Sequence, residues 1–133
     1  MRTKLAVLVA GIALLTSARI MAHHSFSAEF DANKPFKMTG TVTKVEWMNP
    51  HTFFYIDVKD EKTGKVTNWA MEMGSPNGLM RAGWTRNTMK AGDSVTVEGS
   101  LAKDGSPTGN ARSVVMVKTG QRLFAASSQG NTP

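Results

Sequence analysis

The chain has no cysteine, which removes disulfides, thiolate metal centres and cysteine nucleophiles together. It also lacks a Gly-x-Ser-x-Gly elbow, a phosphate-cradling glycine loop and a His-Glu-x-x-His helix, and its acidic residues are scattered through turns and strand faces. No pair of carboxylates is spaced for acid/base work, so the sequence reads as a non-enzymatic protein. Long hydrophobic runs are missing too. The apolar stretch Leu5 to Leu15 is well short of the roughly 20 residues that span a bilayer, and no later stretch is longer, so no membrane anchor is expected.

That short run is informative for another reason. Arg2 and Lys4 precede it and the small-residue stretch Thr16 to Ala22 follows it, the order of a secretory signal. Residues 1–22 are therefore read as a signal peptide with the preferred cut after Ala22; Ala18 and Met21 are other positions for it. The mature protein is expected to be periplasmic or secreted. Losing Arg2, Lys4 and Arg19 lowers the formal charge from +6 to +3, a mild bias that does not make a nucleic-acid binder.

What remains is punctuated like a small β protein. After a polar lead-in over residues 23–35, Phe36 to Trp47 is rich in threonine and valine, with Gly40 as a bend or bulge. Thr52 to Lys59 alternates Phe54, Ile56 and Val58 against Phe53, Tyr55 and Asp57, the period of a strand with one face inward. Val66 to Met73 places Trp69, Met71 and Met73 on one face and Asn68, Ala70 and Glu72 on the other. Ser75-Pro76 caps a short helix from Pro76 to Ala82, with Trp84 behind it. Two more strands follow, around Val95 to Leu101 and Ala111 to Lys118, then a short sixth piece at Arg122 to Phe124. The order predicts an all-β fold: a small five-stranded OB-like β-barrel over residues 36–124, with one short helix between strands three and four. Residues 125–133 are read as a disordered tail.

The segments "HHSFSAEFDANKP", "GTVTKVEWMNPH", "VTNWAMEMGSPN", "RAGWTR", "GDSVTVEGSLAKDG" and "ARSV" resemble, in this order, an exported bacterial family known as domain of unknown function 6152. The resemblance runs from about His23 to Phe124. It implies a small secreted β domain and no particular activity. A second, weaker resemblance joins "NWAMEM" and "KAGDSVTV" to the OB-fold periplasmic copper and silver chaperone of the Cus efflux system, which implies Cu(I) held by methionine. The spacing departs from it, since only Ala70 separates Trp69 from Met71, and one residue reverses the face of a strand.

Three sets of candidate site residues result. Phe53 and Tyr55, with His51 in the preceding loop and Trp47 at the end of the first strand, form an outer aromatic face for a small-molecule ligand or a periplasmic protein partner. Met71 and Met73 are soft donors suited to copper, or simply core residues. His23 and His24, joined by the new amino terminus if the cut follows Ala22, can chelate copper, with His51 as a further nitrogen. No other cofactor is implied.

Overall fold

In the computed structural model, which describes residues 26–126, a hairpin loop sets the first register. Asp60 takes the amides of Lys62 and Thr63 on its carboxylate at 2.8 and 3.0 Å. Its own N–H donates to the Lys65 carbonyl at 2.8 Å. Gly64 turns the chain at a φ of 73°, a left-handed value that suits glycine. From that loop the strands β2 (Phe53–Lys59) and β3 (Val66–Glu72) zip antiparallel, from Lys59 opposite Val66 to Phe53 opposite Glu72.

The 17-residue strand β1 (Phe30–Glu46) holds the sheet together by changing partner along its length. Its first part pairs with β4 (Ser94–Ala102) and its last part with β2. The strand β5 (Thr108–Met116) does the same: Thr108 to Asn110 run parallel to Ala70 to Glu72 of β3, and Ser113 to Val115 take on β6 (Arg122–Phe124). The pairings β1–β2, β2–β3, β3–β5, β5–β4 and β4–β1 therefore close a ring of five strands, with β6 added outside it. The fold is all-β, and the short helix Pro76–Arg81 stands between strands three and four as expected.

Several boundaries move. The first strand begins at Phe30, not Phe36, because Phe30 is buried and lies opposite Ala102. Part of the polar lead-in is thus sheet, preceded by one helical turn over residues 26–29. Gly40 is not a bulge: the pairing with β4 runs evenly through it, and the shift lies between Val42 and Lys44. Its small size is needed for another reason, since a Cβ there would sit 2.5 Å from the Asp57 carbonyl oxygen. The C-terminal boundary moves outward as well. Ala125 is enclosed in the core, donates its N–H to the Arg112 carbonyl and accepts that of Gly74. Residues 127–133 of the proposed tail, and His23 and His24, lie outside the described residues.

The inside of the ring is filled from every strand. Phe54, Ile56, Met71, Met73, Val95, Val97 and Val114 have no exposed surface. Each fully buried side chain of this size contributes roughly 1.5–3 kcal/mol. Leu79 of the helix and Trp84 close one end. Ser75 caps that helix through the Gly78 N–H at 3.2 Å with proline following. Gly83, at a φ of 97°, turns Trp84 back so that its indole N–H donates to the Phe124 carbonyl at 2.9 Å. No helix among the described residues is long and apolar enough to cross a membrane.

Candidate ligand-binding site

The hairpin register has a direct consequence for its outer face. With Phe53 opposite Glu72, the side chains of His51, Phe53 and Glu72 gather where β2 and β3 meet the loop after β1, as diagonal neighbours on one face do. His51 Nδ1 lies 2.6 Å from Glu72 Oε1. The imidazole is about one-third exposed, at 35%, whereas the glutamate side chain is only 10% exposed. A carboxylate this enclosed loses hydration, and burial raises the Glu72 pKa above its ordinary value; His51 pulls it back down and the charge of Glu29 pushes it up further.

Two clefts meet at this pair. One, of about 530 Å³, lies between the helical turn at residues 26–29, the start of β2 and the β4–β5 loop, and is lined by Glu29, Phe30, Phe53, Glu72, Lys103 and Asp104 among others. The other, of about 470 Å³, is lined by Pro50, His51, Ser75, Leu79, Arg81 and Phe124 among others. The histidine belongs to one cleft and the carboxylate to the other. The Lys103 N–H donates to the Glu29 carbonyl at 2.8 Å, so two walls of the first cleft are joined by backbone. The Phe26 and Phe30 rings pack 5.6 Å apart between centroids at the helical-turn wall.

The aromatic residues singled out from sequence do not act together. Phe53 is half-buried and lines the first cleft. Tyr55, two residues on, is already engaged: its hydroxyl donates to Glu46 Oε2 at 3.0 Å, and the Lys44 ammonium stands 5.5 Å from its ring centroid and pairs with Glu46. Burial, together with the bond to Glu46, raises the Tyr55 pKa. Trp47 packs against the core and is not part of either cleft.

Met71 and Met73, offered as copper donors, are fully enclosed among Phe54, Ile56 and Leu79 in the core cluster. Their thioethers fill space that the closed ring must fill, as core residues do, and Gly109 is kept small partly because a Cβ there would come within 3.1 Å of the Met71 sulfur. Among the described residues no group of three or more histidine, aspartate or glutamate side chains is placed to hold a metal ion. Sequence reasoning had put Glu72 on the outward face without a role. The signal was present: a loop closed by Asp60 and Lys65 sets Phe53 against Glu72 and brings Glu72 beside His51.

Fold and site together define a small all-β domain with a closed ring of strands and an amphiphilic cleft at one end, walled by phenylalanines and containing a buried carboxylate. The chain belongs to the family of unknown function, domain of unknown function 6152, whose profile it matches over residues 12–112. No curated protein and no solved structure shows significant similarity to it, and the likeness to the Cus chaperone is not shown.

Proposed function

We propose that this protein is an exported, OB-like binding domain without catalysis of its own, and that its ligand site is the cleft between Phe30, Phe53 and Glu72. The observation that carries the reading is the placement of Glu72. Its carboxylate lines a roomy cleft between two phenylalanine side chains while its other side is held by His51. Burying a charged group is costly unless it is paired or put to use, and a cleft with apolar walls and a few convergent polar groups is the usual form of a small-molecule site.

A carboxylate that grips a histidine through Nδ1 is also a device of general-base catalysis. Here the hydroxyl that shares the histidine's cleft, Ser75, is committed as a helix cap, which favours binding over chemistry. The signal-like start of the chain supports export, and mass spectrometry of the amino terminus tests it.

A fragment screen followed by amide shifts in heteronuclear NMR tests the site. Hits are expected to move the amides of Phe30, Phe53, Glu72 and Thr108 and to be lost in Phe53→Ala. Hits that gather instead around His51, Ser75 and Arg81 would place the site in the other cleft and sink the reading.

A further inference from the structure

The ring is finished differently at its two ends. The helix and Trp84 close the end towards which β3 runs, but where β3 begins its outer edge has no neighbour. β5 covers only Ala70 to Glu72, so residues 66–69 pair with β2 alone among the described residues. The pairing also fixes which backbone groups are left over. The Asp60 N–H donates to the Lys65 carbonyl across the hairpin, whereas the Ala70 N–H donates outward to the Pro107 carbonyl at 3.0 Å. Residues two apart point the same way in a strand. Val66 and Asn68 therefore turn their N–H and C=O groups outward, where no described residue takes them. An edge of this kind is a template for one more strand.

The surface beside that edge is shaped for side chains. A cleft of about 380 Å³ lies on the Thr67 and Trp69 face, lined also by Met38, Val58, Asp60 and Lys65. Met38, Val58 and Trp69 are half-buried against the core, and Val66 at the edge is 54% exposed. A strand laid along β3 alternates its side chains, so every second one lies over this cleft, where apolar groups fit. The hairpin tip decides the charge of such a strand. Lys59, Lys62 and Lys65 are exposed and have no ion-pair partner among the described residues. The Asp60 carboxylate is taken up by its own loop amides, which leaves Glu61 alone to offset them within residues 59–65. A second copy of this chain, formally +6, would bring the same lysines to the shared edge, and like charges work against it. An acidic chain gains from all three. We propose that β3 accepts one further strand: an extended acidic peptide of a partner protein, its backbone bonded to Val66 and Asn68 and an apolar side chain in the cleft at Met38 and Trp69. This surface is separate from the cleft at Glu72, and either can fail without the other.

Selection of displayed random peptides on the purified protein, followed by synthesis of the most enriched one, supplies the probe. Enriched sequences are expected to be acidic, with apolar residues at every second position. The synthetic peptide should shift the amides of Val66, Asn68 and Trp69 in NMR and slow hydrogen exchange at the Val66 and Asn68 N–H groups by about tenfold or more. Val66→Pro removes one outward donor at the first residue of the strand, where proline is tolerated, and should weaken binding about threefold or more. If that variant does not fold by circular dichroism, Lys59→Glu with Lys65→Glu, at exposed positions, should weaken binding by a similar factor and reduce its sensitivity to salt. No enrichment over an unrelated control protein would overturn the proposal. So would shifts gathered elsewhere, or unchanged exchange at Val66 and Asn68 in the bound state. A concentration-dependent dimer that protects these two N–H groups without peptide would give the edge to a second copy and overturn the partner assignment.

Discussion

The two faces of the β2–β3 hairpin are made from alternate residues of the same fourteen positions, Phe53–Lys59 and Val66–Glu72, and they obey different physics. Inward, Phe54, Ile56 and Met71 have no exposed surface and no polar atom needing a partner. Outward, Phe53, Tyr55, Asp57, Asn68 and Glu72 are each tied to something specific: a cleft, a glutamate, an amide or a histidine. Packing sets the inner face, where size and shape decide the residue. Pairing sets the outer face, where a residue is explained by its partner. The largest test of that contrast exchanges neighbours in sequence. Phe54→Ala should cost about 3–5 kcal/mol, since it opens a cavity in a dry core, while Phe53→Ala should cost about 1 kcal/mol or less. Urea unfolding of both variants measures it, and equal losses would mean that Phe53 belongs to the core.

The outer face has one position where pairing and burial coincide, and there the effect should be next in size. His51→Ala leaves the enclosed Glu72 carboxylate without its partner, a change worth about 1–3 kcal/mol. Its pH dependence has a definite sign. A carboxylate whose pKa is raised in the folded state contributes stability that is fully present below its unfolded value, near 4.5, and is lost as pH rises through the raised value. Removing His51 takes away an attraction that holds this pKa down, so the variant should match the wild type best near pH 4 and fall behind it as Glu72 ionises. Glu72→Gln should flatten that stretch of the curve. Thermal unfolding across this range would count against the pair if His51→Ala lost the same amount at every pH.

On the inner face, exchanges that keep volume should be mild. Met71→Leu and Met73→Leu are expected to cost under about 1.5 kcal/mol each and to leave copper binding by the chain unchanged in a calorimetric titration, because neither sulfur reaches the surface. A copper affinity that fell with either substitution would restore the donor reading of the strand.

How much of this was legible in the sequence follows the same division. Alternation located the strands and the inner face, because burial acts on each residue independently and leaves a period of two in the chain. Ser75-Pro76 and Trp84 gave the helix and its anchor for local reasons of capping and packing. What alternation could not give was anything that depends on two distant segments at once. Phe30 counts as lead-in until Ala102 is placed opposite it, and Ala125 counts as tail until Gly74 donates to it. The pairing of His51 with Glu72 needed the hairpin register, which Asp60 and Gly64 encode in their loop chemistry and not in any hydrophobic pattern. Tyr55 was read as a free stacking face because nothing in the linear order shows that β1 lies beside β2 with Lys44 directly opposite it.

That last pair offers the smallest and cleanest measurement. Lys44 and Glu46 are exposed enough that their ion pair should contribute little to stability, and Tyr55→Phe or Lys44→Ala is expected to leave it almost unchanged. The tyrosine reports on its surroundings all the same, because it is the one tyrosine in the chain and phenolate absorbance therefore reads Tyr55 alone. Its midpoint should lie above the ordinary 10.0, chiefly from burial and secondarily from the bond to Glu46. Glu46→Gln should bring the midpoint down part of the way, leaving the share due to burial. Lys44→Ala should send it further up, because the ammonium favours the phenolate. If all three proteins titrated at 10.0, the Tyr55 ring would be solvated and free, and the outer face would regain a second aromatic contact for a ligand beside Phe53.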